Sequence, residues 1–289
     1  MRTIKQIVPA FKINMGGTIL DQTLPYRGVD QIDPFLLIHH WSDQLKGNQN
    51  QSDVGVGPHP HRGFSPVTFI FEGGVHHRDS LGTSEVVYAG GTQWMNSGSG
   101  IVHSERPAKE LAAEGGKFEI IQFWINAPAK NKMDEADYQP ISKEETPVII
   151  SEDKKTETFV VAGEFNEVKG PVNPYSEVLI LRSNIKAGGK LNIDIPEDFN
   201  GLIYQLNGKI KFNNETVVED KVMLHLNNDG TSIAVEALED TRLIVLSGKP
   251  INEELSTYGP FVMNTENEIR QAINDYQNGK MGILTEEFD

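Results

Sequence analysis

The segment VTFIFEGGVHH, residues 67–77, points to the fold class of this chain. An apolar run rich in β-branched and aromatic residues meets a Gly-Gly pair and then a second short run, the pattern of two strands joined by a turn. A similar pattern, YQLNGKIKF, starts at residue 204, and FIFEGGVHH starts at residue 69. Because the two lie almost half a chain length apart, the echo suggests two similar β units.

Other segments carry strand signals of the same kind. KLNIDIP, residues 190–196, alternates apolar and polar side chains, and RLIVLSG, residues 242–248, indicates a buried strand. In IYQLNGKIKF, residues 203–212, an Asn-Gly pair between two alternating stretches predicts a tight hairpin. The sequence therefore predicts an all-β protein.

One helix is predicted near the C-terminus, in NTENEIRQAINDYQNG, residues 264–279. Thr265 and Glu268 have the spacing of a capping box, and Gly279 supplies a C-terminal stop. Between them an apolar stripe recurs with helical spacing, at Ile269, Ala272, Ile273 and Tyr276. This stripe must be buried, so we expect the helix to pack back against the body of the protein.

Composition limits the possible functions. The 289 residues carry a formal net charge of −15 and no cluster of Lys and Arg, which argues against direct nucleic-acid binding. No apolar run is long enough for a bilayer span or a signal peptide, so we expect a cytoplasmic protein with no membrane partner. The chain has no cysteine, and any metal must therefore be bound by His, Asp or Glu.

A metal site is predicted from two pairs of residues with the same spacing. His59 and His61 are separated by one residue, as are His103 and Glu105, and residues i and i+2 of a strand point to the same face. Two adjacent antiparallel strands would bring all four side chains together as three imidazoles and one carboxylate. Without thiolates such a set suits Fe(II), Ni, Mn, Cu or Zn, and it leaves a position for substrate.

The remaining histidines are weaker candidates. His76 and His77 are neighbours and point to opposite faces of a strand, so at most one of them reaches a cavity, and surface or turn roles are favoured. One of His39 and His40, which follow an apolar run, is expected in the core or in the lining of a pocket. His225 is expected to be an ordinary strand residue.

Four motifs resemble those of the pirin family: HPHRGF, VTFIFEGGVHHRDSLG, QWMNSGSGIVHSE and YGPFVMNTENEIRQA. The resemblance implies a bicupin, with two jelly-roll β-barrel domains and a C-terminal helix. It implies one metal ion, usually iron, on His59, His61, His103 and Glu105. The expected bounds are a metal-binding cupin over 1–130, a linker over 131–146, a cupin without metal over 147–250, and a segment over 251–289 that packs back on the first domain.

The chain departs from the common family pattern at three positions. Ser65 and Pro66 stand where relatives commonly have Glu and Thr, and Gly91 stands where they commonly have Asp. None of these positions is a predicted ligand, so the ligand set stays complete. The wall of the pocket is where we expect the departures to act.

The resemblance also implies an activity. Pirin-like proteins suggest a metal-dependent dioxygenase that opens a flavonol such as quercetin with O₂ and releases CO, with Glu105 as general base. Phe64, Trp94 and Met95 are candidates for gripping the aromatic rings. The alternative is a non-enzymatic, iron-dependent redox sensor that acts through protein partners, and an unrelated small-molecule reaction is a third possibility.

Overall fold

A computed structural model describes residues 1–288 of the chain. Strands account for 54% of the residues, and within 1–288 there are two α-helices, which confirms the all-β prediction. Neither of these helices combines the length and the apolar character needed to cross a membrane. Contacts divide the chain into two units. Unit one comprises Met1–Leu37 and Glu145–Pro250, and unit two comprises Ile38–Glu144 and the residues from Ile251 onward.

The elements follow one another along the chain in a mostly strand-to-strand order. They are β1 (Ile4–Pro9), β2 (Phe11–Met15), β3 (Thr18–Leu24), β4 (Phe35–Leu45), β5 (Val56–His61), β6 (Phe64–Glu72), β7 (Gly74–Asp79), β8 (Ser84–Tyr88), β9 (Thr92–Asn96), β10 (Ile101–Pro107), α1 (Lys109–Glu114), β11 (Gly116–Asn126), β12 (Asp137–Ile141), β13 (Val148–Ile150), β14 (Thr156–Ala162), β15 (Glu164–Phe165), β16 (Val168–Lys169), β17 (Val178–Ile185), β18 (Lys190–Asp194), β19 (Asn200–Asn207), β20 (Lys209–Phe212), β21 (Thr216–Glu219), β22 (Val222–Leu226), β23 (Ser232–Ala237), β24 (Thr241–Gly248), β25 (Ser256–Tyr258), β26 (Phe261–Met263) and α2 (Glu266–Gln277).

Unit one has a large and a small sheet packed around an apolar core. The large sheet has the order β1-β22-β19-β24-β17-β14-β13, and the small one the order β18-β23-β20-β21. Side chains of both sheets meet in one buried cluster that includes Leu181, Ile203 and Val245 from the large sheet and Ile193 and Val235 from the small one. The predicted alternation of KLNIDIP is confirmed in β18, and β24 is the buried strand predicted from RLIVLSG.

Unit two has a similar pair of sheets. One has the order β5-β10-β7-β8, and the other contains β12-β9-β6-β11-β4. Ile70, Val75, Val87 and Phe118 come from both sheets and form a buried cluster between them. The residues 131–146, for which the sequence predicts a linker, contain β12, which pairs with β9. The expected cupin bounds, 1–130 and 147–250, stay a prediction.

The two Gly turns that echo one another have the same role in the two units. At Gly73 the chain passes from β6 in one sheet to β7 in the other, and at Gly208 it passes from β19 to β20. Both glycines have positive φ, +80° and +86°, which a side chain would disfavour. The hairpin predicted at Asn207-Gly208 is therefore wrong. Because β19 lies between β22 and β24, it has no free edge for β20.

The predicted C-terminal helix is confirmed as α2. Its capping box is complete, and Ile269 and Ala272 pack against Val102 of β10, within unit two. The end of the stripe differs from the prediction, because Tyr276 is exposed and Asp275 is buried. Asp275 accepts a hydrogen bond of 2.9 Å from Nη1 of the buried Arg62, which gives the buried carboxylate a charged partner.

Candidate metal centre

Three of the four predicted ligands converge in unit two. Strands β5 and β10 pair antiparallel, and His59 lies directly opposite His103. His61 lies on the same face of β5, and the three rings have centroids between 4.4 and 4.9 Å apart. One ligand nitrogen from each histidine lies within 4.8 Å of the others. The three histidines therefore come together on two adjacent strands, as their spacing in the sequence predicts.

In each of the three rings Nδ1 already has a partner. Nδ1 of His59 lies 2.8 Å from the carbonyl oxygen of Gly57, and Nδ1 of His61 lies 3.4 Å from that of Pro260. Nδ1 of His103 lies 3.4 Å from Nδ1 of His77. A carbonyl accepts only, so His59 and His61 donate through Nδ1 and keep the lone pair on Nε2.

The three Nε2 atoms meet the requirements of a metal site. Nε2 of His59 lies 3.1 Å from Nε2 of His61, and Nε2 of His103 is buried without a hydrogen-bond partner. Burial, followed by the nearby His59, lowers the pKa of both His61 and His103 well below the usual value, so both rings are neutral and can bind a cation. A buried nitrogen without a partner is costly, and a divalent cation would satisfy it. The residues present therefore fit one metal ion.

Glu105 lies two residues beyond His103 on β10, and hydrogen bonds hold its carboxylate. Thr68 Oγ1 donates to one oxygen at 3.1 Å, and Gln122 Nε2 donates to the other at 2.8 Å. Trp124 Nε1 in turn donates to Oε1 of Gln122 at 3.2 Å. Among residues 1–288, the group of ligand atoms that converges within 4.8 Å contains the histidines and not this carboxylate. Glu105 is thus held beside the histidines, in an orientation fixed from the opposite sheet.

Aromatic rings form one wall beside the histidines. Phe64 was predicted for the pocket, and its ring lies 5.0 Å from that of His61. Trp124, which the sequence did not single out, lies 4.3 Å from Phe64 and 5.5 Å from His61. Phe64, Pro66 and Thr68 are alternate residues of β6 and share one face of the strand. Trp124 pairs with Pro66 and Gln122 pairs with Thr68, so Phe64 and Trp124 lie on the face of the sheet that carries Thr68 and Gln122.

The other two predicted pocket residues, Trp94 and Met95, point to opposite faces of β9. Met95 is the cross-strand partner of Tyr138, whose ring stacks on His77 at 3.8 Å, so Met95 is on the face toward the histidines. Trp94 is the partner of Val67, on the other face, and is fully buried there. The structure brings Met95 to the side of the site and does not bring Trp94 there.

The three departures from the family pattern have different surroundings. The Ser65 hydroxyl donates to Asn96 at 2.7 Å on the face away from the histidines. Pro66 pairs with Trp124 on the face toward them, so of these two only Pro66 can alter the wall of the site. At Gly91 an added Cβ would lie 2.4 Å from Val87, so any side chain at this position requires its neighbours to move.

His77 is buried in β7, which corrects the surface or turn role favoured from the sequence. It faces His103, whereas His76 points the other way and lies 2.9 Å from Ser84. Of the pair, His77 faces the histidine cluster, whereas His76 lines a different cavity, so the prediction that at most one of them reaches a cavity is wrong. The sequence pattern could not show which of the two faces the cluster, because that depends on the register between β7 and β10.

Within residues 1–288, the other histidines are not part of the group of ligand atoms that converges within 4.8 Å. His40 lies 3.0 Å from Glu119 in the core, as one of the two alternatives predicts. Burial lowers the pKa of His39 to about 4. His225, in β22 of unit one, lies 2.8 Å from the hydroxyl of Tyr26.

The residues around Glu105 were missed from the sequence, although one signal was present. Gln122 is a polar residue in the otherwise apolar run IIQFWI of β11, and polar residues on buried strands usually have a partner. Thr68 is likewise a polar residue inside a buried part of β6. Tyr138 lies in the segment predicted as a linker, so nothing marked it.

Two family models match this chain. The model described as Pirin covers residues 17–125, and the one described as Pirin C-terminal cupin domain covers residues 180–282. A Pseudomonas aeruginosa protein named as a candidate quercetin 2,3-dioxygenase is 36% identical over 249 residues, 86% of each chain. The chain belongs to the pirin family. Pirin-like protein 2 of Arabidopsis thaliana is 32% identical over 288 residues, 97% of this chain and 85% of that protein.

Solved structures agree with this assignment. The crystal structure of quercetin 2,3-dioxygenase from Acinetobacter baumannii superposes with a TM-score of 0.93 at 34% identity, covering 99% of this chain and all of that one. Together with the two family models, this match confirms the bicupin fold predicted for this pirin. The histidine cluster in its N-terminal family region supports a single metal site.

Proposed function

We propose that this pirin is a metal-dependent dioxygenase that opens a flavonol such as quercetin with O₂ and releases CO, with Fe(II) as its metal. The observation that supports the proposal most strongly is the convergence of three histidine nitrogens within 4.8 Å, one of them buried without a partner. His59, His61 and His103 would hold the ion and Glu105 would complete the set. An ion bound there supplies Lewis acidity toward a flavonol oxygen and redox reactivity toward O₂.

Glu105 would act as the base on the substrate. Thr68 and Gln122 each donate to one of its oxygens, and these hydrogen bonds orient the carboxylate. The remaining lone pairs can accept the proton of the flavonol 3-hydroxyl. The reaction balances as flavonol plus O₂ giving a depside ester plus CO. Both atoms of O₂ end in the depside, and the proton held by Glu105 is returned to the depside.

The aromatic wall suits a flat, aromatic substrate. The ring of Phe64 lies beside those of His61 and Trp124. The distances between the ring centroids are those at which aromatic pairs form stacked and edge-on contacts. The partly buried Trp124 ring would hold the flavonol with its oxygens toward the histidines, and the fully buried Phe64 would support Trp124 from behind. Two of the three proteins named above, those of Pseudomonas aeruginosa and Acinetobacter baumannii, support the same substrate class, since their names refer to quercetin.

The test is turnover by protein loaded anaerobically with Fe(II), with the metal content measured as one ion per chain. On adding O₂ we expect loss of quercetin absorbance and release of an equal amount of CO. His61→Ala is expected to abolish both by removing a ligand, and Glu105→Gln to lower them strongly because an amide cannot take the proton. His76→Gln is the matched control, since His76 faces away from the cluster, and it should keep wild-type turnover.

One result would overturn the proposal. If fully metallated wild-type protein shows no O₂-dependent loss of quercetin, the chain is not a flavonol dioxygenase.

A further inference from the structure

A buried carboxylate and a second histidine lie directly behind His103. Strands β7 and β10 pair so that Asp79 is opposite His103 and His77 is opposite Glu105, which places all four side chains on one face. Nε2 of His77 lies 2.8 Å from Oδ2 of Asp79, and Nδ1 of His77 lies 3.4 Å from Nδ1 of His103. The three side chains therefore form a continuous row that ends at the unpartnered Nε2 of His103.

The chemistry of each group sets the direction of the protons in this row. An ionised carboxylate only accepts, so His77 donates through Nε2 to Asp79. A neutral His77 then has its lone pair on Nδ1 and accepts from Nδ1–H of His103. With its proton on Nδ1, His103 keeps a free lone pair on Nε2, the nitrogen that points to the other two histidines.

We propose that His77 and Asp79 are positioning residues that hold His103 in the tautomer whose Nε2 can bind metal. This inference rests on the metal site of the proposed function and adds two residues to it. Metal-binding histidines usually donate their second N–H to a carboxylate or a carbonyl. Here His59 and His61 use carbonyls, and His103 reaches a carboxylate through another imidazole.

The surroundings keep the row rigid. Oδ1 of Asp79 accepts from the backbone N–H groups of Leu81 and Thr83 at 2.9 and 3.0 Å, which leaves Oδ2 for His77. Burial alone would raise the pKa of Asp79, but the hydrogen bonds from His77 and Thr83 lower it, so the carboxylate is ionised. The ring of Tyr138 stacks on His77 with planes 4° apart.

Asp79→Asn is the sharpest perturbation, because it reverses the direction of the protons. The amide oxygen keeps the contacts with Leu81 and Thr83, so the NH₂ group faces His77 and donates to its Nε2. His77 must then carry its proton on Nδ1, and His103 must accept there and carry its own proton on Nε2. That proton occupies the lone pair that a metal needs.

The first measurement requires neither metal nor turnover. Long-range ¹H–¹⁵N NMR of the metal-free protein at neutral pH reports the tautomer of each histidine, with the signal of His103 assigned by its loss in His103→Gln. We expect the Nδ1–H form in the wild type and the Nε2–H form in Asp79→Asn. The affinity for Ni(II), used as an air-stable probe, should fall about 10- to 100-fold in Asp79→Asn.

Two substitutions of His77 separate positioning from packing. His77→Phe keeps a ring beside Tyr138 but offers no acceptor, so Ni(II) affinity should fall at least about tenfold. His77→Asn restores an acceptor near the position of Nδ1 and should recover most of that loss. His76→Gln, the neighbour that faces away, should match the wild type in tautomer and affinity.

The proposal is wrong if Asp79→Asn keeps the wild-type tautomer of His103 and binds Ni(II) within twofold of wild type. It is also wrong if His77→Asn binds no better than His77→Phe, since packing alone would then explain the loss. These outcomes are independent of flavonol turnover. A protein that shows the expected tautomers but leaves quercetin intact would refute the proposed function and leave the positioning role in place.

Discussion

The buried ion pair between Arg62 and Asp275 makes a quantitative prediction about stability. Nη1 of Arg62 lies 2.9 Å from Oδ2 of Asp275, and both side chains are less than one-tenth exposed. Hydrogen bonds from Lys280, and then from Arg62 and Gln271, lower the pKa of Asp275 to about 2. Asp275→Asn removes the charge and keeps the shape, so it isolates the contribution of this ionised group.

The magnitude follows from the shift in pKa. A shift from about 3.9 in an unfolded chain to about 2 corresponds to about 2.5 kcal/mol of stability at pH 7. Lys280 is largely exposed, and water screens its part of the interaction, so we expect about 1–2 kcal/mol for Asp275→Asn. Because the pKa is lowered in the folded state, this contribution is complete above about pH 5 and declines as pH falls toward 2.

The assay can report on unit two alone. The three tryptophans of the sequence, Trp41, Trp94 and Trp124, all lie in that unit. Urea unfolding followed by tryptophan fluorescence at pH 7 and pH 3 should show the difference between variant and wild type shrinking by about half at the lower pH. Glu266→Gln is the control, because its pair with Arg270 on the same helix is exposed at both ends and contributes at most about 0.5 kcal/mol.

Two outcomes would refute this reasoning. One is a loss for Asp275→Asn no larger than that for Glu266→Gln, which would mean that burial adds nothing to the pair. The other is a difference that stays constant between pH 7 and pH 3, which would mean that shape and not ionisation accounts for the loss.

Two further predictions concern the helix and the carboxylate. Thr265→Ala should lower the free energy of unfolding of unit two by about 1 kcal/mol in the same fluorescence assay, because it removes the side chain that accepts from the Glu268 N–H; an unchanged midpoint would contradict the capping role. Gln122→Leu should lower quercetin turnover about 10- to 100-fold, measured as CO release, since Glu105 loses a donor at 2.8 Å; wild-type turnover would show that this hydrogen bond is unimportant.

The candidate metal ligands could be proposed from the sequence because their spacing needs little knowledge of the fold. His59 and His61 share a face in any strand, as do His103 and Glu105, and only the pairing of β5 with β10 had to be assumed. The groups that orient Glu105 could not be predicted in the same way. Thr68 and Gln122 come from the opposite sheet, and no local pattern states which sheets face each other.

Two errors have a related cause. The Asn207-Gly208 pair has strong hairpin chemistry, but both edges of β19 pair with other strands, β22 and β24, and the chain passes to the second sheet. His77 lies on the face of β7 that meets β10, and its neighbour His76 does not. In both cases long-range strand pairing decides the outcome, and residue type alone does not predict that pairing.

The contact between Nδ1 of His61 and the carbonyl of Pro260 has a consequence for biosynthesis. All four proposed ligands are translated by residue 105, but Pro260 follows them by more than half the length of the chain. A nascent chain on the ribosome therefore has the three imidazoles long before His61 has its carbonyl acceptor. The complete set of orienting contacts on the three imidazoles can therefore form only when synthesis is nearly finished.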